Sequence, residues 1–291
     1  MKNKLAVFFI MISITSYSQA KYEFFGALKL NGDDKTVITY RLVFTDVKGN
    51  VNGYSITDIG GEHETKNTIV GRYNSKTKEF SFNEDQISYT KSTFQRNSFC
   101  YVHYKGKLKL VEGVRKIEGE FNGLFKNGKK CINGTLLLVN SEKVTQTAEK
   151  YNKKIQKSNK VDTATKESVN LVKMVDSMKV NNISKDQNLN VFVGANKIQI
   201  EIWDAKTEDG DRINLFKNNT AILNDYEVTN KKKVIEISID NETEVIKLEA
   251  TSEGDRKPNT AMVRIIDGDQ NIDFTTNLKK WEKASIILNK K

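Results

Sequence analysis

Residues 117–121 read Ile117-Glu118-Gly119-Glu120-Phe121, and residues 132–136 read Ile132-Asn133-Gly134-Thr135-Leu136. Each sets a glycine at the centre of an apolar–polar alternation. Looser copies stand at Val51-Asn52-Gly53-Tyr54-Ser55 and Ile69-Val70-Gly71-Arg72-Tyr73. Glycine inside a strand loses backbone entropy and packing surface, so its recurrence needs a geometric reason. Closing a small sheet into a barrel supplies one, because strands must bend or coil sharply to close. Around these segments the alternation continues. Residues 36–44 (TVITYRLVF) read as a strand, Val47-Lys48-Gly49-Asn50 as a turn, and residues 51–56 as the return strand. Eight to ten strands over residues 21–140 predict a small antiparallel β-barrel or curved sandwich, which resembles lipocalin-like barrels in pattern alone.

The alternation stops at residue 141. Residues 141–189 contain neither glycine nor proline, and Val144, Ala148, Tyr151 and Ile155 fall on one helix face. Ser141 is the expected cap, and a second helical stretch begins near Thr163 or Thr165 and carries Val172, Val175 and Met178. This short helical connector is basic, with Lys143, Lys150, Lys153, Lys154, Lys157 and Lys160. Residues 181–190 (NNISKDQNLN) read as a flexible joint.

Alternation returns over residues 190–291. Residues 197–203 (KIQIEIW) form a strand with Ile198, Ile200 and Ile202 on one side, and residues 212–216 read as its hairpin partner across an acidic turn. About seven strands in this section predict an immunoglobulin-like β-sandwich, without the cysteine and tryptophan landmarks of that fold. The chain as a whole is therefore expected to be mainly β.

The first twenty residues are of another kind. Lys2 and Lys4 precede the apolar run LAVFFIMISI at 5–14, and Ser18 and Ala20 provide small residues for cleavage after position 20. Ten helical residues cover about 15 Å, half a bilayer core, so the run is expected to be a signal peptide and not a membrane span. The mature chain is then exported, periplasmic or extracellular. In an oxidising compartment Cys100 and Cys131, the only cysteines, are expected to form a disulfide.

The net charge of +10 is unevenly spread. Residues 21–140 hold 19 Lys+Arg against 13 Asp+Glu, residues 141–189 hold 10 against 6, and residues 190–291 hold 16 against 18. A nucleic-acid site would interleave aromatics with the basic residues of the connector, where Tyr151 alone qualifies, so no nucleic-acid partner is expected.

One cluster has metal-ligand chemistry. Asp204, Glu208, Asp209 and Asp211 lie within eight residues, and hard oxygen ligands on one loop can hold Ca²⁺. The EF-hand spacing fails, since Gly210 stands seventh when Asp204 is counted first. The competing expectation is a polar turn in which Gly210 supplies a positive φ and the carboxylates are solvated or paired with Arg212. The combination of Trp203-Asp204, the Glu208–Asp211 turn, Asn218-Asn219, Pro258-Asn259-Thr260-Ala261 and Ile266-Asp267-Gly268 resembles an uncharacterised C-terminal β-domain of exported Bacteroidota proteins. That resemblance covers roughly residues 190–291 and implies export, not an activity.

Catalytic patterns are not found. His63 in GGEHET lacks the second histidine of a zinc-protease motif, and His103 alternates with Tyr101 and Phe99 as a strand-face residue. Tyr101, Tyr104 and Phe94 are expected as buried aromatics, with a ligand platform as the alternative. The expected function is an exported, non-enzymatic binding or interaction protein without a cofactor. The alternatives are a structural envelope component that oligomerises through the connector, and an Asp/Glu-dependent hydrolase.

Overall fold

The computed structural model describes residues 20–33 and 36–291. The export segment read over residues 1–20 therefore lies outside them, apart from Ala20.

Eight antiparallel strands close the barrel: β1 (Ala20–Leu30), β2 (Val37–Val47), β3 (Asn50–Thr57), β4 (Thr65–Tyr73), β5 (Glu79–Thr90), β6 (Cys100–Val111), β7 (Val114–Phe125) and β8 (Gly134–Asn140). Strand β1 pairs with both β2 and β8, and β5 pairs with β6, which completes the ring. Alternation does what the sequence pattern requires. Tyr40, Leu42 and Phe44 of β2 point inward, and Arg41 and Val43 point out.

The glycines earn their places by close approach. A Cβ at Gly53 would sit 2.0 Å from the Val43 carbonyl oxygen, and one at Gly134 would sit 2.2 Å from that of Lys29. Both distances are inside contact range, so the strands reach this curvature only with hydrogen as the side chain.

The barrel interior is filled. Phe24, Phe44, Phe80, Phe82 and Tyr104 run as a ladder of rings with centroids 6.0, 4.9, 5.8 and 5.7 Å apart in sequence along it. Leu28, Leu42, Leu108, Ile117, Phe121, Leu136 and Leu138 pack around the ladder. Such stacked and tilted rings add to the burial energy of an already apolar core.

The connector forms α1 (Ser141–Lys157), α2 (Thr163–Ser168) and α3 (Leu171–Ser177). Asn140, not Ser141, occupies the cap position of α1, and its side chain makes no capping hydrogen bond. Ala148 of α1 and Val175 of α3 are buried.

Residues 181–190, expected as a flexible joint, are instead part of the C-terminal sheets. They contain β9 (Asn182–Ser184) and the start of β10 (Asn188–Val193). Ile183 and Leu189 are both fully buried, and these two apolar anchors outweigh the polar composition around them. The remaining strands are β11 (Lys197–Trp203), β12 (Asp211–Lys217), β13 (Thr220–Glu227), β14 (Lys233–Ser238), β15 (Thr243–Glu253), β16 (Met262–Asp267), β17 (Gln270–Asn277) and β18 (Lys283–Lys290). They form two layers, ordered β13-β12-β15-β18-β10 and β14-β11-β16-β17-β9. A single apolar cluster lies between the layers, with Ile198, Ile200 and Ile202 on one side and Ile213, Leu215 and Leu248 on the other.

The expected β11–β12 hairpin does not form. Strand β11 pairs with β14 and β16, and β12 pairs with β13 and β15 in the opposite layer. The acidic turn thus carries the chain across the edge of the sandwich, so that both apolar faces are buried against each other. The true hairpin of this region joins β12 to β13 through Asn218 and Asn219, whose φ angles of 47° and 68° are those of a primed turn.

Strand β5 belongs to both units. Its first half closes the barrel against β6, and its last residues, Tyr89 and Thr90, pair with Val191 and Asn190 of β10. Tyr89 joins the sandwich core. Around this shared strand, Lys91 Nζ donates to the Asn182 carbonyl at 2.8 Å and Arg41 Nη1 to that of Lys179 at 2.9 Å.

Candidate functional site: the cationic end of the barrel

The β2–β3 and β4–β5 turns and the middle of β6 flank an open cleft of about 910 Å³ at one end of the barrel. Strand β5 starts in this cleft at Glu79 and reaches the sandwich at Thr90, so about 35 Å of extended chain separates the two. Lys48, Arg72, Lys76, Lys105 and Lys107 line it, with Glu79 as the one carboxylate. Among the described residues none of the four lysines has a carboxylate within ion-pairing distance. Arg72 hydrogen-bonds Asn50, and Glu79 accepts from the Thr77 hydroxyl at 3.1 Å. The floor is aromatic. Tyr73 and Phe80 meet edge to face at 6.2 Å, and Tyr22 approaches Tyr73 at 6.4 Å.

The positive face continues along β6. Lys105, Lys107 and Lys109 alternate outward, and Lys109 lies directly opposite Lys116 of β7. Like charges directly across a strand pair are destabilising, so this arrangement costs stability.

Two buried carboxylates of the barrel, Glu84 and Glu64, are engaged away from this cleft. Glu84 is buried and accepts from Tyr40 Oη at 2.8 Å, Ser55 Oγ at 2.5 Å and the Val102 amide at 2.7 Å. Burial pushes its carboxyl above the ordinary range, against the pull of these donors, and pushes the Tyr40 phenol well up. Glu64 is equally buried, accepting from Tyr89 Oη at 3.0 Å and the Gly60 amide at 2.6 Å, with Lys91 at 3.5 Å. Burial lowers the Lys91 amine, with Glu64 opposing that shift.

Cys100 and Cys131 are joined by a disulfide, as expected, and link the start of β6 to the segment before β8. Tyr101 and Tyr104 are buried: Tyr104 in the barrel ladder, Tyr101 outside it against Ile87 and Phe192. Phe94 departs from the buried-aromatic expectation. It is exposed and stacks on His63 with centroids 5.4 Å apart. His103 lies part-buried on a strand face, and burial lowers its imidazole.

The acidic turn is divided. Asp204 is buried and accepts from the Lys206 amide at 2.7 Å, whereas Glu208 is exposed and accepts from the Asn230 amide at 2.6 Å. Asp211 is buried, with one oxygen accepting from the Thr260 amide at 2.8 Å and the other without a hydrogen-bond partner. Among the described residues no group of three or more His, Cys, Asp or Glu side chains is placed to hold a metal ion. The expected Ca²⁺ ligand set is therefore not assembled, because Glu208 is drawn away by its bond to Asn230. Asp209, the fourth of the expected ligands, has one carboxylate oxygen buried without a hydrogen-bond partner. Gly210 has the positive φ expected of it, at 86°. Arg212 turns away from the acidic turn to pair with Asp225 and Glu227, each at 3.0 Å.

Burial, with Asp209, Asp204 and Glu253 nearby, lifts the Asp211 carboxyl from 3.8 to about 6. A raised carboxyl binds its proton more tightly in the folded state, so the sign is fixed. Its contribution is full below pH 3.8 and is lost as pH rises to about 6. An Asp211→Asn variant should match the parent at pH 4 and melt above it at pH 7.5. Thermal melts across that range check this, and parallel curves would refute it.

No family model matches the chain, and neither a curated protein nor a solved structure shows significant similarity to it. Among the described residues no helix is long and apolar enough to cross a membrane.

Proposed function

We propose that this chain is an exported, non-enzymatic binding protein of the cell envelope or extracellular space, and that it engages an anionic ligand through the cationic end of its barrel. The observation that carries this reading is the ring of Lys48, Arg72, Lys76, Lys105 and Lys107 above an aromatic floor, none of them paired with a carboxylate among the described residues. The filled interior turns binding outward, away from the enclosed-ligand mode of lipocalin-like barrels. Export is supported by the leader pattern at residues 1–20, by the disulfide, and by the Bacteroidota resemblance of residues 190–291. Against an Asp/Glu hydrolase stand the buried, hydrogen-bonded Glu84 and Glu64. The C-terminal two-layer unit is taken as immunoglobulin-like in its layering. The oligomer alternative has Tyr151 and Met174, both exposed on the connector, as its contact residues.

Each lysine near a polyanionic surface contributes on the order of 1 kcal/mol, about fivefold in affinity. The Lys105→Glu/Lys107→Glu double variant should bind dextran sulfate at least ~10-fold more weakly than the parent. The Lys153→Glu/Lys154→Glu pair on α1 should bind as the parent does. Equal loss in both pairs would reduce the effect to net charge and overturn the site.

A further inference from the structure

We infer, resting on the anionic-ligand reading of the barrel's cationic end, that its partner is a lipid bilayer with anionic headgroups, and that the tip of the β6–β7 hairpin enters the headgroup layer. Alternate turns of an up-and-down barrel share an end, so the β2–β3, β4–β5 and β6–β7 turns stand together. The β6–β7 hairpin projects past β5. Strand β5 starts at Glu79, opposite Lys107, whereas β6 goes on pairing with β7 as far as Val111 and Val114. Its base is tied to the β4–β5 turn, where the Leu108 amide donates to the Lys78 carbonyl at 3.0 Å. Beyond Lys107, residues 108–111 add about 13 Å of extended chain. Glu112 and Gly113 close the hairpin with φ of 52° and 77°, those of a tight primed turn, so the tip is presented already ordered. There Leu110 is 69 % and Val111 40 % exposed, and Val47 of the β2–β3 turn is 41 % exposed.

These aliphatic tips and the cations form one surface. Leu110 lies opposite Arg115 across the hairpin. The Arg115 guanidinium sits 5.6 Å from the centre of the Tyr22 ring, and Tyr22 meets Tyr73 in the floor of the cleft. Lys105, Lys107 and Lys109 alternate along β6 toward Val111. Against the cations stand Glu79, Glu112 and Asp46, the last accepting from the Gly49 amide at 2.8 Å. A soluble polyanion would use the cations and gain nothing from the aliphatic tips. A protein partner would gain from the tips, but protein interfaces are poor in lysine. A bilayer uses both: its headgroups attract the cations, its acyl boundary buries the tips, and phenol rings suit the level between.

Flotation with vesicles of equal parts phosphatidylglycerol and phosphatidylcholine tests this. The parent should float with them and not with phosphatidylcholine alone, and its partition should fall as added salt screens the headgroups. The Leu110→Ser/Val111→Ser variant keeps every charge. Its partition should fall at least ~10-fold, while its dextran sulfate affinity and melting temperature stay those of the parent. Leu110→Trp, which enlarges the apolar tip, should raise the partition several-fold. Binding to dextran sulfate without binding to the vesicles overturns the bilayer and leaves the anionic-ligand reading standing, whereas failure with both overturns the two together. The bilayer is also overturned if Leu110→Ser/Val111→Ser floats as the parent does, or if Leu110→Trp floats less well. A parent that sediments as a dimer, dissolved by the serine variant, overturns it too, because a second copy of the chain would then cover the tip.

Discussion

A Glu84→Leu variant is expected to lose about 3–5 kcal/mol of folding stability, because it leaves several buried hydrogen-bond donors without their acceptor. The carboxylate sits inside the barrel and collects hydrogen bonds from the Tyr40 and Ser55 hydroxyls, the Val102 amide and the Asn67 side chain. Leucine fills the space but leaves those donors buried without an acceptor, at about 1–3 kcal/mol each before relaxation. The total falls short of the sum because the hydroxyls can rotate toward other acceptors. Glu84→Gln keeps one acceptor oxygen and should lie between parent and Glu84→Leu. Urea denaturation checks the order, and a leucine variant within 1 kcal/mol of the parent would show that the network carries no weight.

The second large effect belongs to Cys100 and Cys131. They are 31 positions apart, a loop for which the chain-entropy model gives about 3–4 kcal/mol. The bridge packs against Gly123, where a Cβ would come within 2.5 Å of the Cys100 sulfur. The Cys100→Ser/Cys131→Ser protein, or the parent in reductant, should melt roughly 10 °C lower, given about 2–4 °C per kcal/mol for chains of this size. Identical melts with and without reductant would contradict the assignment.

The barrel was legible because its interior alternates strictly and its glycines repeat where the sheet bends. Val144, Ala148, Tyr151 and Ile155 likewise announced α1. What remained hidden depends on pairing over distance. Ile213 and Leu215 alternate as well as any hairpin strand, and nothing local says that their neighbours lie in the other layer. The run at residues 181–190 is dominated by Asn, Lys, Asp and Gln, and its two buried anchors, Ile183 and Leu189, are too far apart to form a visible pattern. Glu84 stands within Asn83-Glu84-Asp85-Gln86, a run whose polarity suggests solvent, not a barrel core. The cationic end is assembled from residues spread between positions 48 and 107, each unremarkable alone, so the sequence revealed only a basic excess over residues 21–140.

The closing of the barrel also sets how the chain must fold. Phe24 of β1 pairs with Asn140 of β8, and Thr90 of β5 pairs with Asn190 of β10, each contact joining residues about a hundred or more positions apart. Contacts of that range form late, because loop entropy is spent before they return any energy. An emerging chain therefore holds β1 with one open edge until β8 arrives, and Tyr89 and Thr90 of β5 wait for their β10 partners until residues 190–191 follow. Refolding in milliseconds to seconds, with that edge exposed to other chains, is the kinetic consequence of sharing one strand between two sheets.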